Sequence, residues 1–294
     1  LKGKTMLDLV IDARAGDLGH GLLVRRVLPF ARHRMVGPFI FLDHAGPLVL
    51  ARETARQADV RPHPHIGLAT VSYLLSGSVM HRDSLGAEQL IRPGEVNWMT
   101  AGRGIVHSER FEDDAAFAPP GLELLQSWVA LPQEYEECAP AFDHYPSSAL
   151  PQAEEGRRWL RVVAGSAFGL HSPVRTLSPL FYVHAQLQAG ATLGLPPQYS
   201  ERAAYIARGR IEYAGTQYTP GQMLVFAKGS DPSLTALEGS IVILLGGEAV
   251  GERHIWWNFV SSSKARIDQA KADWQAGRMA LPPHDNKEFI PLPQ

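Results

Sequence analysis

The chain contains a single cysteine, Cys138, in 294 residues. An intramolecular disulfide is therefore impossible and a thiolate metal cluster is excluded, which fits a reducing, cytoplasmic setting. No run of 18 apolar residues occurs, and the N-terminal "LKGKTMLDLV" has no apolar stretch of the signal-peptide kind, so neither membrane insertion nor secretion is expected. The formal charge is only −2, and no Lys/Arg run of the kind that neutralises a phosphate backbone is present. Nucleic acid is accordingly not expected as a direct partner. Helical periodicity is scarce as well, until close to the C-terminus.

What the chain has instead is turn chemistry. Its 27 Gly and 22 Pro punctuate short apolar runs such as "FIFLD", "ATVSYLLSG", "VNWMTAG" and "LELLQSWVALP". These read as strands, with a turn at Ser76–Gly77 returning one strand on another and a second turn at Pro93–Gly94. The expected class is all-β. Length favours two domains at roughly 100–200 residues each. The stretch from Cys138 to Trp159 is crowded with Pro, Ser, Ala and Glu and shows no periodicity, so it reads as a connection. The expected layout is one domain over 1–140, a linker over 141–160, a second domain over 161–250, and a tail over 251–294.

The halves echo each other. "YLLSGSV" with "RPGEVNWMTAG" parallels "YIARGRI" with "TPGQMLVFAKG", the pattern of a duplicated β-fold. In the tail, Ser263 is a candidate N-cap, Ile267, Ala270 and Trp274 recur at helical spacing, and Gly277 follows as a stop signal. One helix is expected over 264–276, followed by an extended terminal arm.

Chemistry concentrates in the first half. In "RPHPHIG", His63 and His65 stand at i and i+2, on one face of a strand start. "AGRGIVHSER" supplies a second pair, His107 and Glu109, behind a bend made plausible by Gly102 and Gly104. Two such pairs on neighbouring strands could place three imidazoles and a carboxylate on one ion, or they could be solvated polar residues. The donor set suits Fe(II), Ni(II), Mn(II), Co(II), Cu(II) or Zn(II) and is too rich in nitrogen for Mg or Ca. The same count from the second Pro–Gly turn reaches Leu234 and Ala236, so any site belongs to the first half alone. His81 could reach the pocket behind a ligand or sit at a strand edge. Arg103 could steer an anion or pair with a carboxylate, and Gln126 with Trp128 could line a cavity. Asp43–His44 could orient a ligand or cap a turn. Phe41, Trp98 and Met99 read as core or cavity wall; His171, His184, His254 and His284 lack partners at ligand spacing.

Five stretches, "GPFIFLDHAGP", "HPHIGLATVSYLLSG", "MHRDSLG", "PGEVNWMTAGRGIVHSE" and "LQSWVALP", together with the C-terminal "IWWNFVSSSKARIDQAKADWQAGR", resemble the pirin family of bicupins. The resemblance implies two jelly-roll-type β-barrel (cupin) domains face to face, with the C-terminal helix and tail returning to the first. It implies one iron, Fe(II), held by the residues matching His63, His65, His107 and Glu109, and no metal in the second cupin. Many members carry "HPHRGFET"; this chain has Ala69 where that Glu stands. Pirins are similar to cupin dioxygenases, and quercetin 2,3-dioxygenase activity is associated with several. An aromatic substrate and O2 are therefore expected, with Glu109 as ligand and general base. The other expectation the resemblance carries is a redox-sensing regulator that binds a protein partner, such as a transcription factor or metabolic enzyme.

Overall fold

The computed structural model describes residues 6–18 and 22–294. They divide into two compact units. One comprises residues 6–14, Arg25–Phe41 and Ser148–Ala249; the other comprises the described part of 15–24 with Leu42–Ser147 and Val250–Gln294. Each unit has one longer and one four-stranded antiparallel sheet.

In the second of these units the short sheet runs in the order Val60–His65, Ile105–Arg110, Val79–Asp83, Glu88–Ile91. The longer sheet runs Ala141–Tyr145, Val96–Thr100, Leu68–Ser76, Leu122–Ala130, then Phe39–Leu48. Strand alternation assigns the inner faces. Ser72 lies opposite Gln126 and Asn97, and Thr70 opposite Trp128 and Met99, so these side chains share one face. That face looks onto the short sheet: the Trp128 ring meets the His65 ring, and Phe142 stacks on His81.

The other unit repeats this plan. Its short sheet runs Thr192–Gly194, Ser233–Ala236, Ile211–Tyr213, Thr216–Tyr218, the counterpart of the four strands above. Its interior is apolar. Leu193 and Leu234 are fully buried there and Ala236 nearly so, where the first copy has histidines and Glu109. Burying such leucines contributes about 1.5–3 kcal/mol each, so this copy gains stability where the first keeps polar groups.

Four expectations need correction. The 141–160 stretch is not a bare linker: Ala141–Tyr145 pairs with Val96–Thr100, and Gln152–Glu155 forms a hairpin with Arg158–Ala167. The first strand is only half-buried throughout and the second is polar and entirely exposed, so no apolar alternation betrays them. The first residues do not belong with the first domain, because Leu7–Asp12 pairs with Gln222–Phe226. The Ser76–Gly77 turn does not close a hairpin. Gly77, at φ +81°, carries the chain from the longer sheet to the short one. A four-residue helix, Ala55–Ala58, also precedes the C-terminal one.

The C-terminal helix spans Lys264–Gln275, and the Ser263 side chain accepts from the Arg266 amide. Ile267, Ala270 and Trp274 are buried against Ile66, Val106 and Phe259, so the helix packs on the outer side of the strands that carry the histidines. Gly277, at φ +69°, ends it. No described helix is long and apolar enough to cross a membrane.

Candidate metal centre

The register of two strands brings three histidines together. His63 pairs directly with His107 across Val60–His65 and Ile105–Arg110, and His65 is two residues along on the same face. The ring centroids lie 4.4 Å apart for His63–His107, 4.9 Å for His63–His65 and 5.1 Å for His65–His107. One nitrogen from each falls within 4.8 Å of the others, the only such cluster of metal-ligating groups among the described residues. The bend expected before His107 is present: Gly102 has φ +52°, and a Cβ there would collide with the Cys138 carbonyl oxygen.

The hydrogen bonds orient the rings. Nδ1 of His63 lies 2.8 Å from the Arg61 carbonyl oxygen, and Nδ1 of His65 lies 3.1 Å from that of Asn258. A carbonyl only accepts, so each Nδ1 carries the proton and each Nε2 presents a lone pair. Nδ1 of His107 faces Nδ1 of His81 at 3.4 Å, while its Nε2 is buried with no hydrogen-bond partner. Burial pushes the His63 imidazolium down to about 4, despite the opposing Arg61 carbonyl. Burial, and after it the neighbouring imidazoles, hold His65 and His107 well below the usual histidine range. Three imidazoles that resist protonation, with an orphaned nitrogen among them, fit a transition metal ion, whose ligands must be unprotonated.

Glu109 follows on the same strand face but stands outside the three-nitrogen cluster. A bulge intervenes, for Glu109 pairs with Val60 where an unbroken register would give Arg61. Its Oε1 lies 3.3 Å from the Ser72 hydroxyl, which donates to Gln126 Oε1 at 2.8 Å. Burial raises the Glu109 carboxyl to about 7, against the opposing Ser72 contact.

The remaining candidates separate cleanly. His81 and Gln126 are buried on the inner faces beside this cluster. Arg103 is exposed on the Gly102–Gly104 turn, where its carbonyl accepts from Arg266, so it does not join the histidines. His44 pairs with Glu123 at 3.0 Å inside the longer sheet. His171, His254 and His284 are exposed, and His184 is buried against Trp159 in the other unit. Asp83 and Phe142, which hold His81, escaped sequence reasoning. Asp83 shares a strand face with His81, a spacing that could have flagged it, whereas Phe142 arrives from the misread connection.

Comparison with known proteins gives the family. The pirin family model matches residues 21–129, and the model for the pirin C-terminal cupin domain matches 182–280. A pirin-like protein of Caulobacter vibrioides is 57% identical over 98% of this chain and 100% of its own length. The chain belongs to the pirin family. As a pirin it has two cupin domains. It is also similar to a protein of Pseudomonas aeruginosa named a putative quercetin 2,3-dioxygenase, at 39% identity over 91% of this chain and 83% of that one. Among solved structures, the quercetin 2,3-dioxygenase of Acinetobacter baumannii superposes with a TM-score of 0.88 at 32% identity, covering 97% of this chain and 95% of that one.

The family frame sharpens one point about Ala69. It pairs with Val129 and Thr100 in unbroken register, on the face opposite to Thr70 and Ser72. Position 69 therefore looks away from the histidines, and its Ala removes no ligand from this centre.

Proposed function

We propose that this pirin is a metal-dependent dioxygenase that opens the heterocyclic ring of flavonols such as quercetin. The observation that carries the reading is the clustering of three buried imidazoles with a buried carboxyl on the same strand face in one cupin interior. The printed names of the relatives from Pseudomonas and Acinetobacter support the substrate class. His63, His65 and His107 would hold the ion, with Glu109 as the fourth ligand; Fe(II) is proposed, with Ni, Mn, Co, Cu and Zn compatible with the donors.

When bound, the metal supplies Lewis acidity and a path for electrons between an electron-rich flavonolate and O2. The chain supplies the rest. Glu109 accepts the proton of the flavonol 3-hydroxyl, with the Ser72 hydroxyl beside its carboxyl at 3.3 Å. Ser72, held in turn by Gln126, orients that carboxyl. Trp128, Met99 and Phe142 supply apolar surface on the same inner face, which excludes water and suits a flat aromatic substrate. Both atoms of O2 enter the product, one carbon leaves as carbon monoxide, and an ester remains.

The test is an oxygen-electrode assay on protein loaded anaerobically with Fe(II), then mixed with quercetin. Metal-dependent O2 uptake with release of carbon monoxide is expected, and Glu109→Gln should abolish it. A metal-loaded protein that consumes no O2 would overturn the dioxygenase reading and favour the regulator.

A further inference from the structure

We propose that His81, backed by Asp83, is a positioning residue for the metal centre: it accepts a hydrogen bond from Nδ1–H of His107 and so turns the Nε2 lone pair of His107 toward His63 and His65. The inference rests on the three histidines being metal donors. It does not depend on flavonol being the substrate.

The direction of the relay follows from its fixed end. Oδ1 of Asp83 accepts from the backbone amides of Leu85 at 2.9 Å and Ala87 at 3.2 Å, which locks the carboxylate in the turn. Its Oδ2 lies 2.8 Å from Nε2 of His81. A carboxylate accepts, so Nε2 of His81 carries a proton, and in the neutral ring its Nδ1 is left as an acceptor. That Nδ1 lies 3.4 Å from Nδ1 of His107, which therefore donates. The orphaned Nε2 of His107 is then the unprotonated nitrogen, as a metal ligand requires.

Register and packing hold the parts in place. His107 pairs with Asp83 and Glu109 with His81 across adjacent strands, so all four share the inner face. Phe142 stacks on the His81 ring at 4.2 Å between centroids and 11° between planes, which fixes the ring's orientation. His63 and His65 achieve the same tautomer through backbone carbonyls, which no substitution removes. Only His107 depends on side chains for it.

Asp83→Asn gives the sharpest test. The Leu85 and Ala87 amides still demand an oxygen, so the Asn oxygen goes to them and its NH2 group faces His81. The relay then reverses, and the proton is driven onto Nε2 of His107. His81→Asn is the complementary variant, because its Oδ1 stands near the place of the lost Nδ1 and can still accept from His107.

Two readouts apply to folded protein, checked by circular dichroism. Histidine 15N–1H correlation spectra of the metal-free protein report the His107 tautomer. Competition between protein and a chelator for Ni(II) reports affinity. In the wild type His107 is expected as the Nδ1–H tautomer. Asp83→Asn should shift it toward Nε2–H and weaken Ni(II) binding roughly 10–100-fold. His81→Asn should keep the wild-type tautomer and most of the affinity.

A wild-type His107 protonated at Nε2 would overturn the proposal. So would an Asp83→Asn protein with unchanged tautomer and affinity, or a His81→Asn protein as impaired as Asp83→Asn. A wild type that takes up no Ni(II) would sink the metal centre and this role together. Absence of O2 uptake would sink only the dioxygenase reading.

Discussion

Glu109 is an acid buried with only the Ser72 hydroxyl to favour its charge, and that has a measurable price in the metal-free protein. Moving a carboxyl from 4.5 to about 7 by burial sets on the order of 3 kcal/mol against its ionised form. The folded state holds the proton to higher pH than the unfolded chain does. The Glu109 contribution to stability is therefore full below about pH 4.5 and is lost as pH rises through 7. Glu109→Gln removes the charge while keeping the shape and a Ser72 partner. In EDTA, its stability relative to wild type should accordingly improve by about 2–3 kcal/mol between pH 5 and pH 8. Urea unfolding followed by tryptophan fluorescence at the two pH values measures this, since Trp128 packs on His65. Added Ni(II) should reverse the ranking at pH 8, because the wild type then gains a carboxylate ligand that the variant lacks. An advantage equal at both pH values would refute the reasoning: burial would not then be what burdens the ionised carboxyl.

Further expectations follow from the same structure. His63 and His184 are held down by burial to about 4 and about 3, and His65 and His107 lie well below their usual value. These four imidazoles favour folding above about pH 6.5 and lose that contribution as pH falls. They outnumber Glu109, which acts in the opposite direction, so the metal-free protein should unfold at lower urea at pH 5 than at pH 7. In the terminal arm, Asp285 accepts from Ser108 at 2.6 Å and from Arg110 at 2.7 Å and 2.8 Å, behind the ligand strand. Asp285→Asn leaves the buried Arg110 short of charge and should destabilise by about 1–3 kcal/mol, read as a lower urea midpoint. Ala69→Glu should not strengthen Ni(II) binding in chelator competition, since position 69 faces away from the histidines.

The core of the site was legible because it is a matter of period. His63 and His65 at i, i+2, and His107 with Glu109 at the same spacing, define strand faces without any coordinates. The counted absence at Leu234 and Ala236 was legible for the same reason, and both residues lie in apolar core. Pairing was harder to read. Nothing local reveals that His63 lies opposite His107, or that a bulge separates Glu109 from the register of its partner. The edge strands Ala141–Tyr145 and Gln152–Glu155 lack the apolar–polar alternation that marks a strand with one buried face, so the sequence alone reads them as connection. The place of Leu7–Asp12 beside Gln222–Phe226 depends on a contact some two hundred residues away, which no sequence window contains. Arg103 is exposed at the centre of the glycine turn that precedes His107, a placement no spacing rule in the sequence gives.

The most direct test of the account is calorimetric titration of metal-stripped protein with Ni(II), run on the wild type and on His63→Ala/His107→Ala. The account predicts one ion per chain for the wild type, because among the described residues only one cupin carries three clustered imidazoles, and no specific binding for the double variant. A wild type that binds no ion, or a double variant that still binds one with wild-type affinity, would contradict it.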